Sequence, residues 1–266
     1  MCEIKRVLIF GLDGIGNSPK TVNTPNLDRI INKGLYTYNG RTEFPPISGE
    51  CWGTILHGVE PSIHGLTNDI AIGQIWPNES PFPSIFKIIR DKRPDAEFAS
   101  FCTWNAINTG MIEQNINVHF ETGTDDNLTQ IISKYIENND PTLLFIGFDD
   151  CDHAGHDHGY FTEKYFQQIE KTDKNVGVLL DVLEKRGMIE DSLLMIVTDH
   201  GGGGVNPKDH MFDHPMDMTV FFACCGPKVP HKEIENFGIA DIPSIVLSAF
   251  SIEIPSGWKG RSLYNI

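Results

Sequence analysis

The chain has 266 residues, with 36 Asp and Glu against 21 Lys and Arg, a formal net charge of −15. That balance argues against nucleic-acid polymers and anionic membrane surfaces as partners, and no run approaches the ~20 apolar residues of a membrane span. With 40% hydrophobic and 21% charged residues, the composition is that of a globular protein able to bury a core without staples.

In chain order, the amino terminus shows no signal-peptide pattern and enters an apolar strand over 4–11. Thr24 and Pro25 predict a helix start, with Thr24 as cap, and a stop near Gly34. A helix is expected over 49–57 after a Pro-Pro loop, another over 83–93, and a strand over 96–102. Leu128, Ile131, Ile132, Tyr135 and Ile136 share one face of a predicted helix over 126–138. Next come a strand over 142–148, a long helix over 161–186 closed by Gly187, and strands over 192–198 and 218–225. A last helix over 241–250 has Pro243 in its first turn. Strands alternating with helices predict an α/β fold, a mostly parallel central sheet with helices on both faces. One domain over 1–266 is expected, with 67–127 as an inserted cap. The six cysteines (Cys2, Cys51, Cys102, Cys151, Cys224, Cys225) form no CxxC pair, which suits free thiols in a reduced, cytoplasmic protein.

Three predicted strands end in acidic residues: Asp13, then Asp149 to Asp152, then Asp199 followed by His200. Ligands of open α/β sheets bind at the carboxyl ends of strands, so these segments should converge. Converging carboxylates repel unless cations neutralise them, and Asp with His suits Zn²⁺ or Mn²⁺. Taken singly, Asp13 beside Gly14 reads as a turn and the four glycines from Gly201 as a loop. The ten residues 149–158 are harder to dismiss, because they carry four Asp and three His. Asp149 with His153 and Asp152 with His156 are both four apart, and spacing alone does not choose between them. Ser48, just before a helix, reads locally as its cap. A helix amino terminus also suits a phosphate. Nothing matches the glycine spacing of a serine-hydrolase elbow.

In order, these motifs resemble the alkaline phosphatase superfamily, closest to its type I phosphodiesterase and nucleotide pyrophosphatase branch. Ser48 lies ten before Gly58, followed by Pro61-Ser62-Ile63-His64-Gly65; Asp152 to Gly159 matches D-x-x-G-H-x-x-G, and Thr198-Asp199-His200-Gly201 matches (S/T)-D-H-G. His210, eight before Met218, matches a later ligand, although Met211 replaces the usual Gly and His214 is a near neighbour. The tail from Ala240 to Leu263 is similar to the family's closing helix and G-x-S-L segment. The resemblance implies two divalent ions, Zn²⁺ or Mn²⁺. One would be held by Asp152, His156 and His210, the other by Asp13, Asp199 and His200, with the Ser48 oxygen between them as nucleophile. It implies a phosphoseryl intermediate and assigns Asn68 a phosphoryl oxygen.

Ser48-Gly49-Glu50-Cys51-Trp52 lacks the Pro and Arg that follow a sulfatase nucleophile. Without an Arg clamp, a small substrate with a phosphodiester or nucleotide pyrophosphate-type bond is preferred, although Arg41 or Arg90 offers a distant clamp. The alternatives are a phosphomonoesterase, a phosphonate hydrolase, a phosphomutase or a noncatalytic metal- or nucleotide-binding module. Trp76, Phe82, Phe101 and Trp104 offer either base stacking or, more in keeping with their type, core packing.

Overall fold

Alternation within the central strands sorts their side chains onto two faces. β1 (Arg6–Leu12), in a computed structural model describing residues 4–263 and 265–266, puts Val7 and Ile9 on one side and Leu8, Phe10 and Leu12 on the other. β5 (Leu143–Phe148) and β6 (Ser192–Val197) flank it and divide in the same way. Helices Ser48–His57, Ile85–Lys92 and Asp241–Ala249 cover the first face; Asp125–Asn138 and Glu163–Lys185 cover the second. A strand buried on both faces needs a near-continuous apolar run, which all three supply.

With β2 (Leu35–Arg41), β3 (Phe98–Cys102), β4 (Val118–Thr122), β7 (Thr219–Cys225) and β8 (Lys232–Glu233), these strands form one sheet. Its order is β4-β3-β5-β1-β6-β7-β2-β8. The run from β4 to β6 is parallel, and β7 is antiparallel to both neighbours. The fold is therefore the expected α/β architecture with a mostly parallel sheet. Segment 67–127 supplies β3 and β4 to that sheet.

Several local expectations change. Thr24 caps nothing with its side chain; the helix there is a short turn, Asp28–Ile31. The amides of Asn26 and Leu27 are instead taken by Asp173 of the long helix, at 3.0 and 2.9 Å. Strands β2 and β4 are additional to the expected elements. Ser48 is the first helical residue, its cap position belongs to Ile47, and the cap makes no side-chain bond. That helix ends at Gly58, whose φ of 70° suits glycine and where a Cβ would strike Trp258. Five cysteines are free and buried, and Cys2 lies outside the described residues. Among the described residues, no helix is long and apolar enough to cross a membrane.

Candidate active site

Adjacent parallel strands in register deliver their following residues to one place. Leu12 pairs with Phe148 and Gly11 with Val197, so Asp13, the segment from Asp149 and the segment from Thr198 emerge together. Gly14 makes the tight exit: its φ is 67°, and a Cβ there would strike the Asp152 carboxylate. Residues 150–158 form a helix, not a loop, which places Asp152 and His156 on successive turns, 3.2 Å apart. Asp149 and His153 pair separately at 3.2 Å, with the His153 side chain open to solvent. Only the Asp152 pair joins His210, whose Nε2 lies 3.9 Å from Asp152 Oδ1. The second cluster centres on His200 Nε2, 3.2 Å from Asp199 Oδ2, 3.5 Å from Asp13 Oδ1 and 3.2 Å from Ser48 Oγ. Asp13, Asp152 and His200 also offer atoms within 4.8 Å of one another, so Asp152 borders both clusters.

The three imidazoles share one arrangement. Nδ1 of His156, His200 and His210 faces the carbonyls of Lys208, Gly201 and Pro46 at 2.8, 2.8 and 2.6 Å. Each can therefore donate from Nδ1 and turn its Nε2 toward the carboxylates, as metal-bound histidines do. Asp13 Oδ1 and Asp199 Oδ2 are buried with no hydrogen-bond partner among the described residues. A cation between those oxygens and the Nε2 lone pairs would satisfy both, so the donor set fits divalent metal.

The electrostatics agree. Burial, reinforced by Asp199, pushes Asp13 well above the usual carboxylate range. Burial and then Asp152 push Asp199 up to about 7. At Asp152 burial works upward, but the His156 hydrogen bond and the neighbouring imidazoles outweigh it and hold the carboxyl below its usual value. The same bond lifts His156 to about 9, while burial and His200 lower His210 to about 4.

Asn68 opens a helix, and its Oδ1 accepts Gly49 N–H at 2.6 Å. The first amide after Ser48 is thus engaged by Asn68, which ties the start of its own helix to that of the Ser48 helix. A pocket of about 380 Å³ opens beside the start of the Ser48 helix, lined by Ile47, Glu50, Asn68, His156, His210 and Met211 among others. His214 stands apart, accepting Met216 N–H at the start of a short helix. Neither distant arginine lines this pocket: Arg90 donates to carbonyls at the sheet edge and Arg41 pairs with Asp213. Trp76 and Phe101 are core, and Trp104 packs against it.

Three supporting residues carried no sequence signal. Trp52 Nε1 donates to Asp13 Oδ2 at 2.8 Å, the Tyr160 hydroxyl donates to Asp152, and Thr42 Oγ1 donates to the Asp199 carbonyl. The contacts of Trp52 and Thr42 span 39 and 157 residues and that of Tyr160 eight, and no spacing rule finds them.

Residues 7–220 match the family model for type I phosphodiesterase / nucleotide pyrophosphatase. Mouse ectonucleotide pyrophosphatase/phosphodiesterase family member 7 is 24% identical over 226 residues, covering 76% of this chain and 51% of its own. The chain thus spans about half the length of that curated relative. Among solved structures, inactive murine ectonucleotide pyrophosphatase / phosphodiesterase 5 in complex with AMP superposes with a TM-score of 0.77 at 14% identity, covering 99% of this chain and 98% of that one. A 2-O glycosaminoglycan sulfatase superposes at 0.76 and 14% identity, covering 98% and 74%.

Proposed function

The chain belongs to the type I phosphodiesterase / nucleotide pyrophosphatase family, and from that premise we propose that it hydrolyses small phosphodiesters, or pyrophosphate-type bonds, by attack of Ser48. The observation that carries this reading is the Ser48 hydroxyl at the head of its helix, 3.2 Å from His200 Nε2 and beside two Asp/His clusters. Two divalent cations, Zn²⁺ or Mn²⁺, held by Asp152, His156 and His210 and by Asp13, Asp199 and His200, would supply the Lewis acidity that makes a serine oxygen nucleophilic at neutral pH.

The chain's own residues do the rest. Ser48 Oγ bonds to phosphorus as the bond to one alcohol breaks; the serine proton and the departing oxygen leave together as that alcohol. Water then cleaves the phosphoserine, restoring the Ser48 hydroxyl and releasing the phosphomonoester. Asn68, oriented through its Oδ1, offers its NH₂ to a nonbridging oxygen. No arginine lines the pocket to clamp a dianion, which favours a diester over a monoester.

The test compares bis-p-nitrophenyl phosphate with p-nitrophenyl phosphate, with and without added metal. The diester should be preferred, activity should vanish on chelation and return with Zn²⁺ or Mn²⁺, and Ser48→Ala should lose it by about 10³-fold or more. Undiminished turnover by Ser48→Ala would remove the nucleophile from the account.

A further inference from the structure

Resting on the reading of Ser48 as the reacting residue, we propose that the adjoining pocket is a subsite for a protonated primary amine on the substrate, received by Glu50, with Asp69 and Asp209 adding negative charge along the lining. All three carboxylates line the 380 Å³ cavity beside Asn68 and His210, and no Lys or Arg lines it. Such a cluster on an open surface would mean little, because solvated acidic groups need no partner. Glu50 is different. It lies in the first turn of the Ser48 helix, is only 7% exposed, and its Oε2 is buried without a hydrogen-bond partner among the described residues. A buried acceptor left unsatisfied is costly, and a ligand that donates to it recovers that cost.

The chemistry of the lining narrows the ligand. A metal ion needs several ligands at once, and among the described residues the groups of side chains close enough to share one include none of Glu50, Asp69 and Asp209, whereas an ammonium needs only one carboxylate. A quaternary ammonium is recognised by aromatic faces, and among the described residues no Phe, Tyr or Trp lines this cavity. Carboxylate oxygens call for N–H donors with positive charge, which a primary ammonium supplies in three directions. Ile47 and Met211 add an apolar wall for the methylenes that carry the amine. Met211 is 45% exposed and sits at a φ of 114°, where glycine would be unstrained. The volume, about 380 Å³, has room for an aminoalkyl group together with the phosphodiester that carries it. A free aminoalcohol phosphodiester and a lipid headgroup share this chemistry.

Binding to the Zn²⁺-loaded Ser48→Ala chain tests the subsite without turnover. Calorimetric titration should give phosphoethanolamine a Kd about tenfold or more below that of ethyl phosphate, from charge-assisted hydrogen bonding. Choline phosphate, which has no N–H, should show no such gain. Adding Glu50→Gln, a near-isosteric change, should bring the ratio toward one while the number of bound metal ions stays the same. Equal Kd values for the amine and ethyl compounds, a preference that survives Glu50→Gln, or loss of an ion with Glu50→Gln would overturn the proposal. Equal Kd values alongside normal diester turnover by the wild type would leave hydrolysis standing. Amine-selective binding with no turnover of any diester would support the subsite and retire the hydrolytic reading. Short-chain glycerophosphoethanolamine compared with phosphatidylethanolamine vesicles as substrates separates the free diester from the lipid.

Discussion

At the scale of single residues, orientation matters as much as residue type. His156, His200 and His210 each face a backbone carbonyl with Nδ1, so their Nε2 atoms are committed to the carboxylates before any ligand arrives. The carboxylates are steadied in turn: Asp13 by Trp52, Asp199 by the amides of Gly14 and His200, and Asp152 by Tyr160. Partners of this kind typically change metal affinity by about 10–100-fold when removed. Tyr160→Phe deletes one oxygen and little else, and should weaken Zn²⁺ binding by about tenfold or more while the circular dichroism spectrum is retained. Competition with a chromophoric chelator measures this, and unchanged affinity would mean that Tyr160 only fills space.

At the scale of elements, carboxylates tie helix starts to one another. Asp173, midway along Glu163–Lys185, takes the amides of Asn26 and Leu27 and replaces the side-chain cap expected from Thr24. Asp173→Ala leaves those amides unpaired and should cost about 1–2 kcal/mol in urea denaturation, with a smaller cost for Asp173→Asn. Asp125 opens Asp125–Asn138 and accepts the amides of Asp149 and Asp150, at the start of the helix bearing Asp152. Burial pushes its carboxyl up from 3.8 to about 6, against the hydrogen bond from Thr103. An acid with a raised folded-state pKa favours folding most when protonated, so its contribution is largest below the unfolded value and falls as pH rises to about 6. The wild type should therefore lose on the order of 2 kcal/mol relative to Asp125→Asn between about pH 4 and pH 7. Denaturation of both proteins at the two pH values reads this, and a difference independent of pH contradicts it.

The same scale shows what was legible beforehand. β1, β5 and β6 were readable because strands buried on both faces carry uninterrupted apolar runs, and their acidic ends followed. β4, with Val118, His119 and Glu121 half-buried or exposed at the sheet edge, has no such run. β2 is short of apolar residues because Thr37 and Gly40 take inward positions. Asp152 and His156 were legible through their match to the D-x-x-G-H-x-x-G motif, since the spacing of four fitted Asp149 and His153 equally, whereas the tie from Trp52 to Asp13 spans 39 residues and leaves no local trace. Ser48 looked like a cap because hydroxyls before helices usually are caps; here Ile47 holds that position and the hydroxyl is directed to His200.

At the scale of the whole molecule, a net charge of −15 stands against the anionic substrate proposed. The arrangement at the strand ends reconciles them, because buried Asp13 and Asp199 concentrate negative charge where divalent cations can reverse it locally. The attraction is then short-ranged, and the acidic exterior chiefly keeps the protein dispersed. Everything in this account converges on one oxygen, Ser48 Oγ. The most direct measurement is rapid acid quench of the metal-loaded chain during turnover of a p-nitrophenyl phosphodiester, followed by mass spectrometry of its peptides. The account predicts a burst of up to one nitrophenolate per chain and a phosphoryl adduct on Ser48, both absent in Ser48→Ala. Steady turnover by Ser48→Ala at the wild-type rate, or an adduct on another residue, would contradict it.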